Sequence, residues 1–183
     1  MIDICNIGLL VMRGQPFHIG HARTLTKAIE GCDKVVVALG STQEFGTSKN
    51  PFTFSERKRM IKNYCLDKAN SLQGPYWENV TTIGLRDIND AHRWPDYVFE
   101  EVHMQTGYII STLFGGTPYD CHWFKNKQVK IEIIDRADPS IPFVSGSMIR
   151  EMLLYGDKRW MDFIPPCNRQ IVAKKFNRLE MLQ

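Results

Sequence analysis

The stretch Gly8-Leu-Leu-Val-Met-Arg-Gly-Gln-Pro-Phe-His-Ile-Gly-His-Ala-Arg23, near the start of a 183-residue chain, decides how the rest is read. Its apolar run, Ile7 and Leu9 to Met12, is cut by Gly14 and Pro16. Two histidines follow three residues apart, His18 and His21, with Gly20 between them. Ala22, Leu25, Ala28 and Ile29 then recur at helical spacing. This is the pattern of a buried strand, a tight turn and a helix carrying its histidines at the N-terminal end.

Such a junction favours an anion. The first N–H groups of a helix lack intrahelical acceptors, and the helix dipole places its positive end there. Residues three apart share a helix face, so both imidazoles can address one ligand. Gly20, without a Cβ, allows close approach to the backbone, and Arg13 adds a planar fork of donors suited to phosphate oxygens. The plainer alternative is a helix start with two surface histidines. A metal site is a third, but no further His, Cys or acidic ligand stands at zinc-like spacing nearby.

Working outward, Ile4 to Met12 forms the first strand, apolar throughout and so expected to be central. The helix from about Gly20 is expected to end at a Gly31 cap, and Lys34 to Gly40 supplies a second buried strand. Strand, helix and strand with short connections make a right-handed βαβ unit in a parallel sheet. A polar loop, Gly40 to Phe54, then leads to a helix with a polar start at Ser55. After a Ser71–Asn79 loop containing Gly74 and Pro75, strands are expected at Thr81–Leu85, Tyr108–Phe114 and Val129–Ile134, with a helix opened by Trp94-Pro95. The expected class is α/β: a Rossmann-like parallel five-stranded sheet flanked by helices. The length suits a single domain, and apolar residues from Trp160 to Phe176 predict short helices packed on the sheet edge, a C-terminal appendage over about 157–183.

Loops at the C-terminal ends of parallel strands are where ligands bind in open α/β sheets. Three further places draw notice on that ground. Arg57, in the first turn of its helix, either reaches a phosphate or is an exposed arginine paired with a carboxylate. Trp94, beside Asp87 and Asn89 at the end of the third strand, is either core or a stacking surface for a flat heterocycle. Val144-Ser-Gly-Ser-Met-Ile-Arg150 sets small hydroxyls and a glycine at a helix start, with Arg150 one turn in. Ser145 there is either an N-cap or part of a second anion cradle. The fourth strand ends in Gly115-Gly116.

Composition excludes several classes. A hydrophobic fraction of 43% with 23% charged residues is that of an ordinary globular protein. A net charge of +3 is too small to argue for nucleic acid. The five cysteines are far apart and form no CxxC pair, which suits reduced thiols of a cytoplasmic protein. No apolar run approaches a membrane span, and no basic segment precedes an apolar one at the start, so neither membrane insertion nor a secretory leader is expected.

His18-Ile-Gly-His21 after a first strand, with Ser145-Gly-Ser-Met-Ile-Arg150 late in the chain, resembles the nucleotidylyltransferase superfamily. Within it, the chain is most similar to the archaeal-type nicotinamide-nucleotide adenylyltransferases. The matching segments are Arg13–His21, Gly40-Ser-Thr-Gln43, Asn50-Pro-Phe-Thr-Phe-Ser-Glu-Arg57, Asp87 to Trp94 and Val144–Arg150, spread over nearly the whole chain. The resemblance implies that nicotinamide mononucleotide and ATP give NAD and pyrophosphate with Mg²⁺. It places His18, His21, Arg13, Arg57 and Arg150 on the ATP phosphates and Ser145 and Ser147 near the triphosphate. Gln15, Gly20 and Gly115 fall among its nucleotide-binding positions, and Trp94 would stack on the nicotinamide ring with Asp87 beside it. It also implies a closed homo-oligomer as one expected state. Two departures stand out. Arg150 is followed by Glu151, Met152 and Leu153 in place of an arginine-rich run, and Phe45-Gly46-Thr47 replaces a polar residue and histidine.

The chemistry follows from charge. The acceptor phosphate is already ionised at neutral pH and needs no general base, so positioning and electrostatics carry the catalysis, without a covalent intermediate. An imidazole of ordinary pKa about 6.5 is expected to be pushed toward its charged form by phosphates. Rival readings are transfer of AMP or CMP to nicotinate mononucleotide, flavin mononucleotide, phosphopantetheine or glycerol phosphate, and a nucleotide sensor without catalysis. The tetrapeptide His18–His21 also occurs in class I aminoacyl-tRNA synthetases, but no KMSKS-like motif is present. No helix-turn-helix is appended that would suit a DNA-binding regulator.

Overall fold

The computed structural model describes residues 5–72, 78–134, 143–178 and 181. Five strands form one parallel sheet: β1 (Ile7–Met12), β2 (Lys34–Leu39), β3 (Val80–Gly84), β4 (Thr112–Gly115) and β5 (Lys130–Ile133). Their order is β3-β2-β1-β4-β5, with β1 central. The longer helices are α1 (Ile19–Gly31), α2 (Phe54–Leu72), α3 (Trp94–Thr106) and, after a single turn α4 (Pro118–Cys121), α5 (Gly146–Tyr155) and α6 (Arg169–Lys175). The chain leaves β1 toward β2 on one side and returns to β4 on the other. The crevice where the order reverses therefore opens above the C-terminal ends of β1 and β4, the usual ligand position in such sheets.

Both faces of the sheet are covered, which is why the strands read as unbroken apolar runs. Leu10, Val35, Val37, Leu39 and Phe114 belong to one core with Leu25, Met60 and Ile149 from the helices. Leu9, Val36, Ala38 and Leu113 belong to the other, with Val98 and Val102 of α3. The split follows the two-residue period of a strand.

Several expected boundaries move, each for a visible reason. β1 begins at Ile7, and Ile4 lies outside the described residues, as do Gly74 and Pro75. α1 runs through Gly31 and its cap is Cys32 in extended backbone, not the glycine. Asn6 stands in for a left-handed cap, its Nδ2 donating to the Gly31 carbonyl at 2.7 Å. α2 starts at Phe54, one residue earlier than the polar start suggested, because Thr53 and Glu56 form a reciprocal cap. β4 is shorter than Tyr108–Phe114: its partner β1 starts at Ile7, so pairing begins only where Ser111 and Thr112 draw level with it, and Ile109 stays exposed.

The C-terminal segments pack elsewhere than the sheet edge. Trp160, Ile164, Val172 and Ala173 are buried in the core that α2 and α5 share with the sheet. Asn168, also buried, donates to the Met60 carbonyl of α2 at 2.9 Å. Within that core these segments pack on α2 and α5. Among the described residues no helix is long and apolar enough to cross a membrane.

Gly115 ends β4 against Cys121, and a Cβ there would collide with the Cys121 Sγ. Gly115→Ala is expected to lower stability by about 1–3 kcal/mol, the scale of overpacking. Adding Cys121→Ala should recover part of that loss, and a double-mutant cycle in urea measures the coupling.

Candidate active site

The turn between β1 and α1 is built before any ligand arrives. Gly14 takes a left-handed φ of 61°, which a side chain would strain. The Gln15 side chain is buried and bonds both ways to Phe52, with Nε2 donating to its carbonyl (2.9 Å) and Oε1 accepting from its N–H (2.8 Å). The 40–54 loop is thereby pinned to the turn. Arg57 is wholly buried, and its Nη1 donates to the carbonyls of Arg13 (2.8 Å) and Gly40 (2.7 Å), tying the exit of β1 to that of β2. Burial pushes its pKa down and the Asp87 carboxylate opposes that shift. Of the expected nucleotide-facing side chains, Gln15 and Arg57 thus also tie the frame together, and Gln15 lines the hollow above it. The exposed, carboxylate-paired alternative for Arg57 does not occur, because its helix starts under the loop and not on the surface.

Above that frame the two imidazoles stack with centroids 3.7 Å apart. His18 is the N-cap of α1 and is almost fully buried. Its backbone N–H donates to His21 Nδ1 at 3.4 Å. A ring nitrogen that accepts from a backbone N–H carries no proton, so in the neutral ring the proton sits on Nε2. His21 can therefore donate through Nε2 without first becoming charged. Gly20 has a packing reason of its own: a Cβ there would press on the His18 ring at 3.1–3.2 Å and on Val144 at 3.3 Å.

The late helix closes the other side. Ser145 is its N-cap, accepting from the Met148 N–H at 3.2 Å. Gly146 fits against the first turn so tightly that a Cβ would lie 2.8 Å from the Gln15 carbonyl oxygen. Arg150 donates to that same carbonyl at 2.6 Å and to Ser147 Oγ at 3.0 Å. Burial and then the neighbouring Arg13 push its pKa down. Two guanidiniums that repel each other beside two imidazoles make a hollow of about 210 Å³ fitted to a polyanion, lined by Arg13, His18, His21, Ser145, Ser147 and Arg150.

A second, wider hollow of about 480 Å³ adjoins it, lined by Arg13, Asp87, Asn89, Trp94 and Trp123. Asp87 is oriented there by Ser41 Oγ (3.1 Å) and Gln43 Nε2 (2.9 Å). Trp94 joins both earlier readings, since it packs against the α3 core beside Tyr97 and also lines the hollow. Gly115 lies with Arg13 and His21 on a third, smaller recess at the end of β4. Trp123 carried no sequence signal, for it sits in a short 3₁₀ turn without periodicity. Gly146 was visible as part of the late motif, but its closeness to Gln15 was not.

Burial pushes Cys65 up to about 12 and Cys32 and Cys121 up to about 11, and all five cysteines are free.

The family model described as cytidylyltransferase-like matches residues 14–152. The chain belongs to that family. Among curated relatives, the nicotinamide-nucleotide adenylyltransferase of Thermococcus kodakarensis is 30% identical over 96% of this chain and 87% of its own length. That of Thermococcus onnurineus is 31% identical over the same shares. A solved structure of a bifunctional NMN adenylyltransferase/ADP-ribose pyrophosphatase from Francisella tularensis, complexed with AMP and a manganese ion, superposes with TM-score 0.66 at 21% identity. That match covers 97% of this chain and about half (54%) of the bifunctional protein. It shows the shared fold of this family.

An anion that relieves the Arg13–Arg150 repulsion should stabilise the fold by linkage. Pyrophosphate at ~100 times its dissociation constant is expected to add about 2.7 kcal/mol, read as a raised melting temperature in low salt. Arg150→Met should lose most of that increment, and equal increments in the two proteins would remove Arg150 from the anion site.

Proposed function

We propose that this protein transfers the adenylyl group of ATP to nicotinamide mononucleotide, releasing pyrophosphate and forming NAD. The observation that carries the reading is the pairing of a cationic hollow with an aromatic, acid-bearing hollow that share Arg13 as a wall. The relatives named nicotinamide-nucleotide adenylyltransferase over most of their length support the same activity.

In this reading the triphosphate lies on the α1 and α5 starts, against His18, His21, Arg13 and Arg150. The acceptor ring rests on Trp94 with Asp87 alongside, and its phosphate points toward Arg13. An acceptor phosphate oxygen attacks the α-phosphorus as the bond to the bridging oxygen breaks, and that electron pair leaves with pyrophosphate. No proton transfer is needed. The His21 Nε2–H and the guanidiniums hold charge where it grows, which is the larger part of such catalysis. Arg57 and Gln15 act beneath them as positioning residues.

Mg²⁺ is the proposed divalent ion; carried on the triphosphate, it would neutralise part of the phosphate charge that Arg13, Arg150 and the histidines face.

A pyrophosphate-release assay with ATP across nicotinamide, nicotinate and flavin mononucleotides and phosphopantetheine tests the assignment. The highest kcat/KM is expected with nicotinamide mononucleotide, and preference for another acceptor would replace the reading. His21→Ala should lower kcat by about 10²–10³-fold, the scale of losing one preorganised oxyanion donor. Trp94→Ala should chiefly raise KM for the mononucleotide, whereas an unchanged KM would return Trp94 to the core.

A further inference from the structure

Resting on that assignment, we infer that Tyr97 is a positioning residue of the acceptor hollow. It holds the indole of Trp94 and the backbone that carries Asp87 at a fixed separation. Tyr97 lies in α3 three residues after Trp94 and is not among the residues that line the hollow. It touches both of the groups that matter there. Its ring packs against the Trp94 ring, with centroids 5.7 Å apart and planes tilted by 40°. Its hydroxyl oxygen accepts from the Arg86 N–H at 3.0 Å, one residue before Asp87.

The need for such a residue comes from the sheet. β3 is an edge strand, paired with β2 on one side only. The Leu85 N–H donates to the Leu39 carbonyl of β2 at 2.9 Å, so at Arg86 the N–H turns the other way, toward the open edge. No strand stands there to meet it, and α3 supplies the partner. The Gly84 carbonyl on the same edge is met likewise, by Gln105 Nε2 of α3 at 3.1 Å.

From the β2 side, Ser41 and Gln43 hold the Asp87 carboxylate, and the Asp87 N–H donates to Gln43 Oε1 at 3.2 Å. The segment is therefore gripped from both flanks, and Tyr97 is the α3 half of the grip. The chain between the two held groups is itself braced. Asp90 Oδ1 accepts from the N–H groups of His92 and Arg93 at 3.0 Å each, and the Trp94 N–H donates to the Asp90 carbonyl at 2.9 Å. A ring that stacks on the indole and turns a polar edge to the carboxylate needs both at the right spacing, and a shift of about 1 Å weakens both contacts together. The triphosphate hollow is built on other elements, the α1 and α5 starts, so the effect falls on the mononucleotide.

The test is steady-state kinetics of NAD formation by the full chain carrying Tyr97→Phe and Tyr97→Leu, with the melting temperature of each. Tyr97→Phe removes only the acceptor of the Arg86 N–H. It is expected to raise KM for nicotinamide mononucleotide about 3–10-fold, the scale of one neutral hydrogen bond, with kcat and KM for ATP within about twofold. Tyr97→Leu also removes the ring beside Trp94 and is expected to raise that KM by about a further 2–10-fold. Should Tyr97→Leu fail to fold, Tyr97→Phe alone decides. An unchanged KM for the mononucleotide in Tyr97→Phe overturns the inference even if its melting temperature falls, because the hydroxyl would then serve stability alone. Equal rises in both KM values, or a loss confined to kcat, also overturn it, since the defect would not belong to the acceptor hollow. Absence of NAD formation by the wild type would instead strike the underlying assignment and the inference with it.

Discussion

The hydrogen bond from Arg150 to the Gln15 carbonyl, 2.6 Å long and spanning 135 residues of sequence, is the contact on which the site depends. It brings a cation from the last long helix against the first turn of the sheet, beside Arg13. Two like charges are thereby held close, and burial raises the cost of keeping Arg150 ionised. Folding energy from the core sustains this unfavourable arrangement, and an anion relieves it. Gly146 makes the approach possible, because any Cβ would collide with the same carbonyl group.

The remaining polar side chains divide between frame and surface. Gln15 and Arg57 are buried: Arg57 bonds to the Arg13 and Gly40 carbonyls just beyond β1 and β2, and Gln15 to the carbonyl and N–H of Phe52 in the loop before α2. Satisfying such groups is obligatory inside a protein, and a side chain that does so is fixed in place. That rigidity passes upward to the histidine pair, the Arg13 backbone and the 44–51 loop. Preorganisation of this kind is what electrostatic catalysis requires, because dipoles and charges that must reorient during the reaction stabilise little.

The two hollows differ in character for reasons of topology. One lies over helix starts, where N–H groups and guanidiniums gather. The other lies beyond β3, where the Asp87 segment and the α3 start bring a carboxylate and an indole together. Their common wall is at the end of the central strand. A reaction joining a phosphate from each side has only that place to occur.

Local pattern in the chain determined much of this. Apolar runs with helical intervals between them foretold five parallel strands and the α/β class, since strand and helix periodicities reflect burial directly. The paired histidines, Arg13, the Ser145–Arg150 motif and the Asp87–Trp94 segment were legible as anion- and ring-binding features, because each rests on residue type and short spacing. Tertiary structure alone decided which of them face a ligand. Arg57 and Gln15 had the chemistry of phosphate contacts, and the structure adds bonds from both to backbone groups far away in sequence. Trp123 had no pattern to mark it and gains meaning only from the hollow it lines. The C-terminal helices were visible as apolar residues, while their seat on α2 and α5 was not. Periodicity reports that a residue is buried, but only the packed chain specifies what buries it.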